Sequence, residues 1–187
     1  WIFLKLFWGW ALYNHIFLFW VNQITTKLLS RSLNVRTETQ IENVNNASPS
    51  QQQVSNLLEH YQAGRLDDAE KLAVSVTQEF PQHPFGWKVL GAVLGATDRK
   101  SEAVNANQTA VALSPQDAEA HNNLGVTLQE LGRLEEALAS YKQAIALKSD
   151  YAEAHYNLGI TLRELGRLDE SEASYTQAIA FKPDYAE

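Results

Sequence analysis

Cysteine and methionine are both absent from this chain of 187 residues. Without thiols there is no disulfide framework, no cysteine nucleophile and no thiolate metal site. Basic residues are also scarce, with 15 Lys and Arg against 22 Asp and Glu, a net charge of −7. From residue 50 onward the balance is eleven against twenty, or −9. That excludes a general nucleic-acid-binding surface, which needs a basic stripe. An acidic surface serves solubility, or a preference for basic partners. Histidine is sparse, and none of the five stands at the i, i+4 spacing of a helical zinc pair. The glycines punctuate helices instead of forming a phosphate loop. Glu135-Glu136 and Asp169-Glu170 complement helix dipoles at the starts of helices. No nucleophile, base and orienting group can be assembled. The expectation is a chain that is not itself an enzyme, with no cofactor, no metal and no small-molecule substrate.

What the chain does have is a period. Arg65, Arg99, Arg133 and Arg167 recur at a step of thirty-four residues. Leu-Gly pairs (Leu90-Gly91, Leu124-Gly125, Leu158-Gly159), small residues (Ala69, Ala103, Ala137, Ser171) and prolines (Pro81, Pro115, Pro183) keep the same step. One structural unit is therefore copied along the chain. In residues 118–151, Ala120, Leu124, Leu128 and Leu131 mark one helical face, Gly132 a break, and Leu134, Ala137, Leu138, Tyr141, Ile145 and Leu147 a second helix. Each unit is helix–turn–helix, with proline just beyond the second helix. Gly125 and Gly159 weaken a helix by roughly 1 kcal/mol each relative to Ala, so their repetition predicts close approach of another helix. Ala137 and Ala144 are small on the facing second helix, and Leu124, Leu128, Tyr141 and Leu147 are large enough to fill the gaps around them.

These residues resemble the tetratricopeptide repeat family. Its signature is carried by Leu124, Gly125, Leu128, Ala137, Tyr141 and Ala144, and again by Leu158, Gly159, Leu162, Ser171, Tyr175 and Ala178. Residues 84–117 form a copy that departs at Thr97, Asp98 and Asn107, where looser packing is expected. Residues 50–83 form a degenerate first copy without the Leu-Gly pair. Residues 118–151 and 152–185 are the clearest copies, and Ala186-Glu187 restart the motif before the end of the chain. The resemblance implies an all-α, right-handed α-solenoid over residues 50–187. Ser171 in place of Ala can bond a carbonyl one turn back.

The family binds extended protein or peptide segments in a concave groove lined by first helices. Carried over, that groove contains Lys88, Asn122, Asn123, Val126, Gln129, Tyr156, Asn157, Ile160 and Arg163. Asn123 and Asn157 are similar to the asparagine ladder of O-GlcNAc-transferase repeats, since a carboxamide can pair with any peptide backbone. A carboxylate clamp is not expected, because Ala92 and Glu153 stand where polar and basic groups are wanted. His121 and His155 occupy a position where such repeats place a bulky packing residue. The turn arginines read as solvated residues with packed stems, or as an anion track along one edge. A protein-binding module is the leading expectation. The rival is the acceptor-recruiting repeat array of a larger enzyme, similar to bacterial O-GlcNAc-transferase-like glycosyltransferases.

Residues 1–24 differ in kind, with one charged residue, Lys5, in a length that suits a membrane-spanning helix. Lys27, Arg31 and Arg36 follow and would place the repeats in the cytoplasm, tethered to the inner membrane as an assembly scaffold. The same segment is rich in Trp and Phe and has no Met, which also fits upstream DNA translated in frame. A signal peptide is disfavoured by the lack of a small-residue cleavage site. Residues 25–49 read as a polar linker, in which Asn46-Ala47-Ser48 matches a glycosylation pattern. Membrane fractionation with and without residues 1–24 separates these readings. An anchor makes the longer chain alone sediment with membranes; a longer chain that stays in the soluble fraction contradicts it.

Overall fold

The computed structural model describes residues 48–186, together with Lys27. The span over residues 1–24 and nearly all of the linker lie outside the described residues. Among the described residues, no helix is long and apolar enough to cross a membrane.

The architecture is an all-α solenoid with no strand among the described residues. The helices are α1 (Gln51–Gln62), α2 (Leu66–Glu79), α3 (Pro84–Ala96), α4 (Lys100–Leu113), α5 (Ala118–Glu130), α6 (Leu134–Leu147), α7 (Ala152–Glu164) and α8 (Leu168–Phe181), followed by a 3-10 turn at Pro183–Ala186. Odd-numbered helices open a unit and even-numbered helices close it. Each helix packs on its neighbours in the chain, and the first helices of successive units also touch, whereas the second helices of successive units do not. The first helices therefore form the tighter, inner side of the stack.

Local chemistry sets the boundaries. Ser50 opens α1 with a capping box, its hydroxyl accepting from the Gln53 amide while Gln53 reaches back to Ser50 N. Asp117 caps α5 by accepting from the amides of Glu119 and Ala120. The second helices have no side-chain cap; they carry acidic residues in their first turns instead, Glu135 and Glu136 in α6 being an example. The turn inside each unit needs one left-handed residue. Gly64, Gly132 and Gly166 fill it at φ 70, 73 and 75, but Asp98 occupies it at φ 60 in the second unit. The amide of the following arginine then closes a six-residue bond, from Arg65 to the His60 carbonyl and likewise from Arg99 to Leu94, Arg133 to Leu128 and Arg167 to Leu162, each at 2.9 Å.

Within a unit, the two helices meet through size complementarity. A β-carbon on Gly125 would lie 2.5 Å from Tyr141 Cε1, and one on Gly159 would lie 2.7 Å from the Tyr175 ring. In the second unit the pair is Gly91 with Asn107, and in the first it is reversed, with large Leu57 on α1 and small Ala73 on α2 in one core cluster. Ala103, Ala137 and Ser171 are buried beside these pairs. Ser171 does not turn back along its own helix; its hydroxyl donates to the Gly159 carbonyl across the helix pair at 2.7 Å. Pro115 lies two residues past α4, and Pro183 opens the terminal 3-10 turn. On α8, Leu168, Ile179 and Phe181 are exposed.

Two substitutions test this packing. Gly125→Ala should lower stability by about 1–2 kcal/mol despite the better helix propensity of Ala, because the Tyr141 ring has nowhere to go. Gly95→Ala, where a β-carbon meets open space, should raise stability by up to about 1 kcal/mol. Urea midpoints report both, and equal effects at the two glycines would contradict the account.

Candidate ligand groove

The inner face is built by polar side chains that reach from one unit to the next. Lys88 on α3 is mostly buried and bonds both Asp117 and Glu119 at the start of α5, with the Asp117 carboxylate at 3.0 Å. Burial pulls the Lys88 ammonium down, but the bonds and charges of Glu119 and Asp117 outweigh it and hold the group above its ordinary value. Burial likewise pushes Asp117 up, and Lys88 with the α5 amides brings it below the usual carboxylate range.

The next junction is a chain of amides. Asn157 Nδ2 on α7 donates to Asn122 Oδ1 at 3.2 Å, and Asn122 Nδ2 donates to Glu153 at 3.1 Å. Asn122 is fully buried. Gln129 is equally engaged: its Oε1 accepts from the Tyr141 hydroxyl and lies 3.1 Å from Thr161 Oγ1, and its Nε2 donates to Glu164. Of the residues expected to line the groove, Lys88, Asn122, Gln129 and Asn157 are thus tied into contacts between units. Asn123, Val126, Ile160 and Arg163 stand on the same helices without being consumed this way, and the exposed Tyr156 packs its ring on Tyr175 at 5.7 Å.

The face is acidic. Burial, with Glu130, Glu153 and Glu164 nearby, pushes the Tyr141 phenol well above its ordinary value. No cation among the described residues forms an ion pair with those three carboxylates. A recess of about 270 Å³ opens beside Glu130 and Glu153, reached by Tyr61 of α1, Gly91 and Gly95 of α3, Asn107 of α4 and Asn123 of α5. Asn107 lies where the departure from the repeat pattern led to an expectation of looser packing, whereas Gly95 and Ala96 carry no family signature and no expectation attached to them. The signal lies in what they replace, because the equivalent places in the next unit hold Tyr141, Gln129 and Glu130.

The other singled-out residues have structural partners. The ring N–H at one repeat position makes the same bond three times, from Trp87 to the Pro81 carbonyl, from His121 to Pro115 and from His155 to Ser149, at 3.0, 3.1 and 3.0 Å. A carbonyl only accepts, so each histidine carries its proton on Nε2 and serves as a packing residue. Among the described residues no cluster of His, Asp and Glu could hold a metal. The turn arginines are held by carboxylates: Arg99, Arg133 and Arg167 each grip the glutamate three residues on, and Arg99 also reaches Glu70 of the preceding unit. Arg65, whose third neighbour is the shorter Asp68, turns to Glu59 and His60 instead.

Comparison with known proteins places this geometry. Residues 99–132 and 128–162 match a model described as TPR repeat, and residues 152–185 match the tetratricopeptide repeat. The fold is similar to that of a thermophilic TPR protein of Thermus thermophilus, with 25% identity, TM-score 0.65, and coverage of 72% of this chain and 78% of that one. It is also similar to MamA from Desulfovibrio magneticus at 20% identity, TM-score 0.64, covering 71% of this chain and 75% of that one. Against an O-GlcNAc transferase of Thermobaculum terrenum the identity is 30% and the TM-score 0.57, over 59% of this chain but 21% of that one. No curated protein matches the chain significantly.

The Lys88 junction yields a pH-dependent prediction. Lys88, with its folded value raised, contributes stability below its ordinary 10.5 that is lost as pH rises through the folded value. Asp117, with its folded value lowered, contributes above its ordinary 3.8 and loses it as pH falls through the folded value. Lys88→Met should therefore cost about 1 kcal/mol on the neutral plateau, and the cost should shrink in acid and in strong alkali. A cost independent of pH in urea titrations would contradict this.

Proposed function

Because this chain is built of tetratricopeptide repeats, we propose that it is a protein–protein interaction module that holds an extended segment of a partner along the first helices. The observation that carries this reading is the state of the polar groups on that face. The Asn123 carboxamide, half-buried on α5, has its backbone carbonyl occupied by Thr127 and Asn107 while its side chain remains available. A carboxamide in that position offers a donor and an acceptor to a peptide backbone whatever the ligand's sequence. Val126 and Ile160 supply apolar ground beside it, Arg163 and Glu130 supply charge, and the surplus of carboxylates favours a basic segment. Tyr156, Lys88, Asn122, Gln129 and Asn157 then act mainly by holding these groups at fixed spacing.

A second reading is supported by the 30% identity to the O-GlcNAc transferase of Thermobaculum terrenum. There the same face would recruit an acceptor protein for chemistry carried out elsewhere. The binding step is common to both readings, so one experiment addresses it. Peptides selected from a random library against the full chain provide a probe. Asn123→Ala should weaken their binding about fivefold, the loss of roughly one hydrogen bond, with unchanged helicity and urea midpoint. Asn157→Ala should instead lower stability by about 1 kcal/mol, because it removes the donor to buried Asn122. Intact binding in Asn123→Ala contradicts the groove assignment.

A further inference from the structure

The recess in the inner face is produced by a coincidence of small residues at equivalent repeat positions. Asn107 stands where α6 has Tyr141, Gly95 where α5 has Gln129, and Ala96 where α5 has Glu130. In the third unit the buried Tyr141 ring occupies the equivalent place and its hydroxyl bonds Gln129. In the second unit neither side chain is present, and about 270 Å³ is left open to the groove.

A buried polar atom lines this space without a partner. Asn107 is 1% exposed, and its Oδ1 has no hydrogen bond. The orientation of the carboxamide is fixed by its neighbours. Thr127 Oγ1 spends its proton on the Asn123 carbonyl at 2.9 Å and must therefore accept from Asn107 Nδ2, also at 2.9 Å. The oxygen is left directed at Gly91, where a β-carbon would collide with it. A buried acceptor without a donor is unfavourable until something supplies one. Glu130 and Glu153 stand at the same recess, and no cation among the described residues pairs with either.

We propose that this recess is a subsite for a basic side chain, best an arginine, of the partner segment. The inference rests on the groove reading above and names the residue type that one place in the groove selects. An arginine stem lies along Gly95 and Ala96, where no side chain obstructs it. The guanidinium has five donors in a planar fork, enough to serve the two carboxylates and, once a small turn of the carboxamide brings it to the recess, the Asn107 oxygen. A hydrophobic anchor would leave the Asn107 oxygen unpaired and the two carboxylates without a counter-charge, and an acidic one would be repelled.

The probe is a short glycine–serine peptide with one central arginine, compared with the same peptide carrying citrulline, which keeps the shape and loses the charge. Amide NMR of the full chain should show shifts at Gly91, Gly95 and the Asn107 carboxamide with arginine and not with citrulline. Glu130→Gln with Glu153→Gln should weaken the arginine peptide about tenfold or more, the loss of charge-assisted bonds. Asn107→Tyr should abolish these shifts by closing the recess. Gly95→Gln should do the same without disturbing the buried Asn107–Thr127 bond, and keeps the test valid if Asn107→Tyr does not fold. Equal shifts with citrulline, or shifts that survive Gly95→Gln, overturn the subsite. Library-selected peptides that bind Gly95→Gln at unchanged affinity likewise overturn the subsite and leave the groove reading standing, whereas peptides that shift no first-helix amide overturn the groove reading itself.

Discussion

One steric fact organises this molecule: there is no room for a β-carbon at Gly125 or Gly159. Without it the second helix of each unit comes close enough to lay a tyrosine ring against the backbone of the first. The ring in turn sets the helix spacing, because it is rigid and Tyr141 is fully buried. The first unit obeys the same constraint with the sizes exchanged, Leu57 on one helix and Ala73 on the other. What persists from unit to unit is the sum of the two side chains rather than the identity of either. Where that sum falls short, at Gly91 and Asn107, the deficit becomes a recess in the inner face.

The tyrosine also connects packing to the groove. Its hydroxyl bonds Gln129, and Gln129 bonds groups on α7, so the order inside one unit is passed to the next. Lys88 with Asp117 and Glu119, and Asn157 with Asn122 and Glu153, make the other junctions. A solenoid holds its shape through such nearest-neighbour contacts, having no single central core. These bonds decide which polar groups on the inner face are engaged in the stack and which remain for a ligand. The remainder is rich in carboxylate, and the field of Glu130, Glu153 and Glu164 is strong enough to register on the buried Tyr141 phenol. In the proposed binding role, partner preference would follow from what the stack does not consume.

Much of this was legible in the residues. A thirty-four-residue period with Leu-Gly pairs states the helix–turn–helix unit, and the glycines state close approach, because nothing else justifies their cost in a helix. The packing role of His121 and His155 follows from their sharing a position with Trp87. The roles of Asn122, Asn157 and Gln129 were less legible, since their partners lie about a full repeat away and depend on how each helix is rotated against the next. Ser171 shows the same limit, for its carbonyl partner is on the facing helix and not one turn back. The recess was hidden for another reason. The departure at Asn107 pointed to looser packing in this unit, but matching residues to a family pattern gave no weight to Gly95 and Ala96, whose small size leaves the space open. Residues 1–24 and their proposed span fall outside the described part of the chain, so that reading stands on composition alone.

The central claim is that the first helices bind and the second helices only support them. Native-state hydrogen exchange on the full chain, with and without a saturating library-selected peptide, tests it most directly. The account predicts added protection on α3, α5 and α7, with α4 and α6 changing little. Protection concentrated on α4, α6 or α8 would contradict it and move the binding surface to the outer side of the stack.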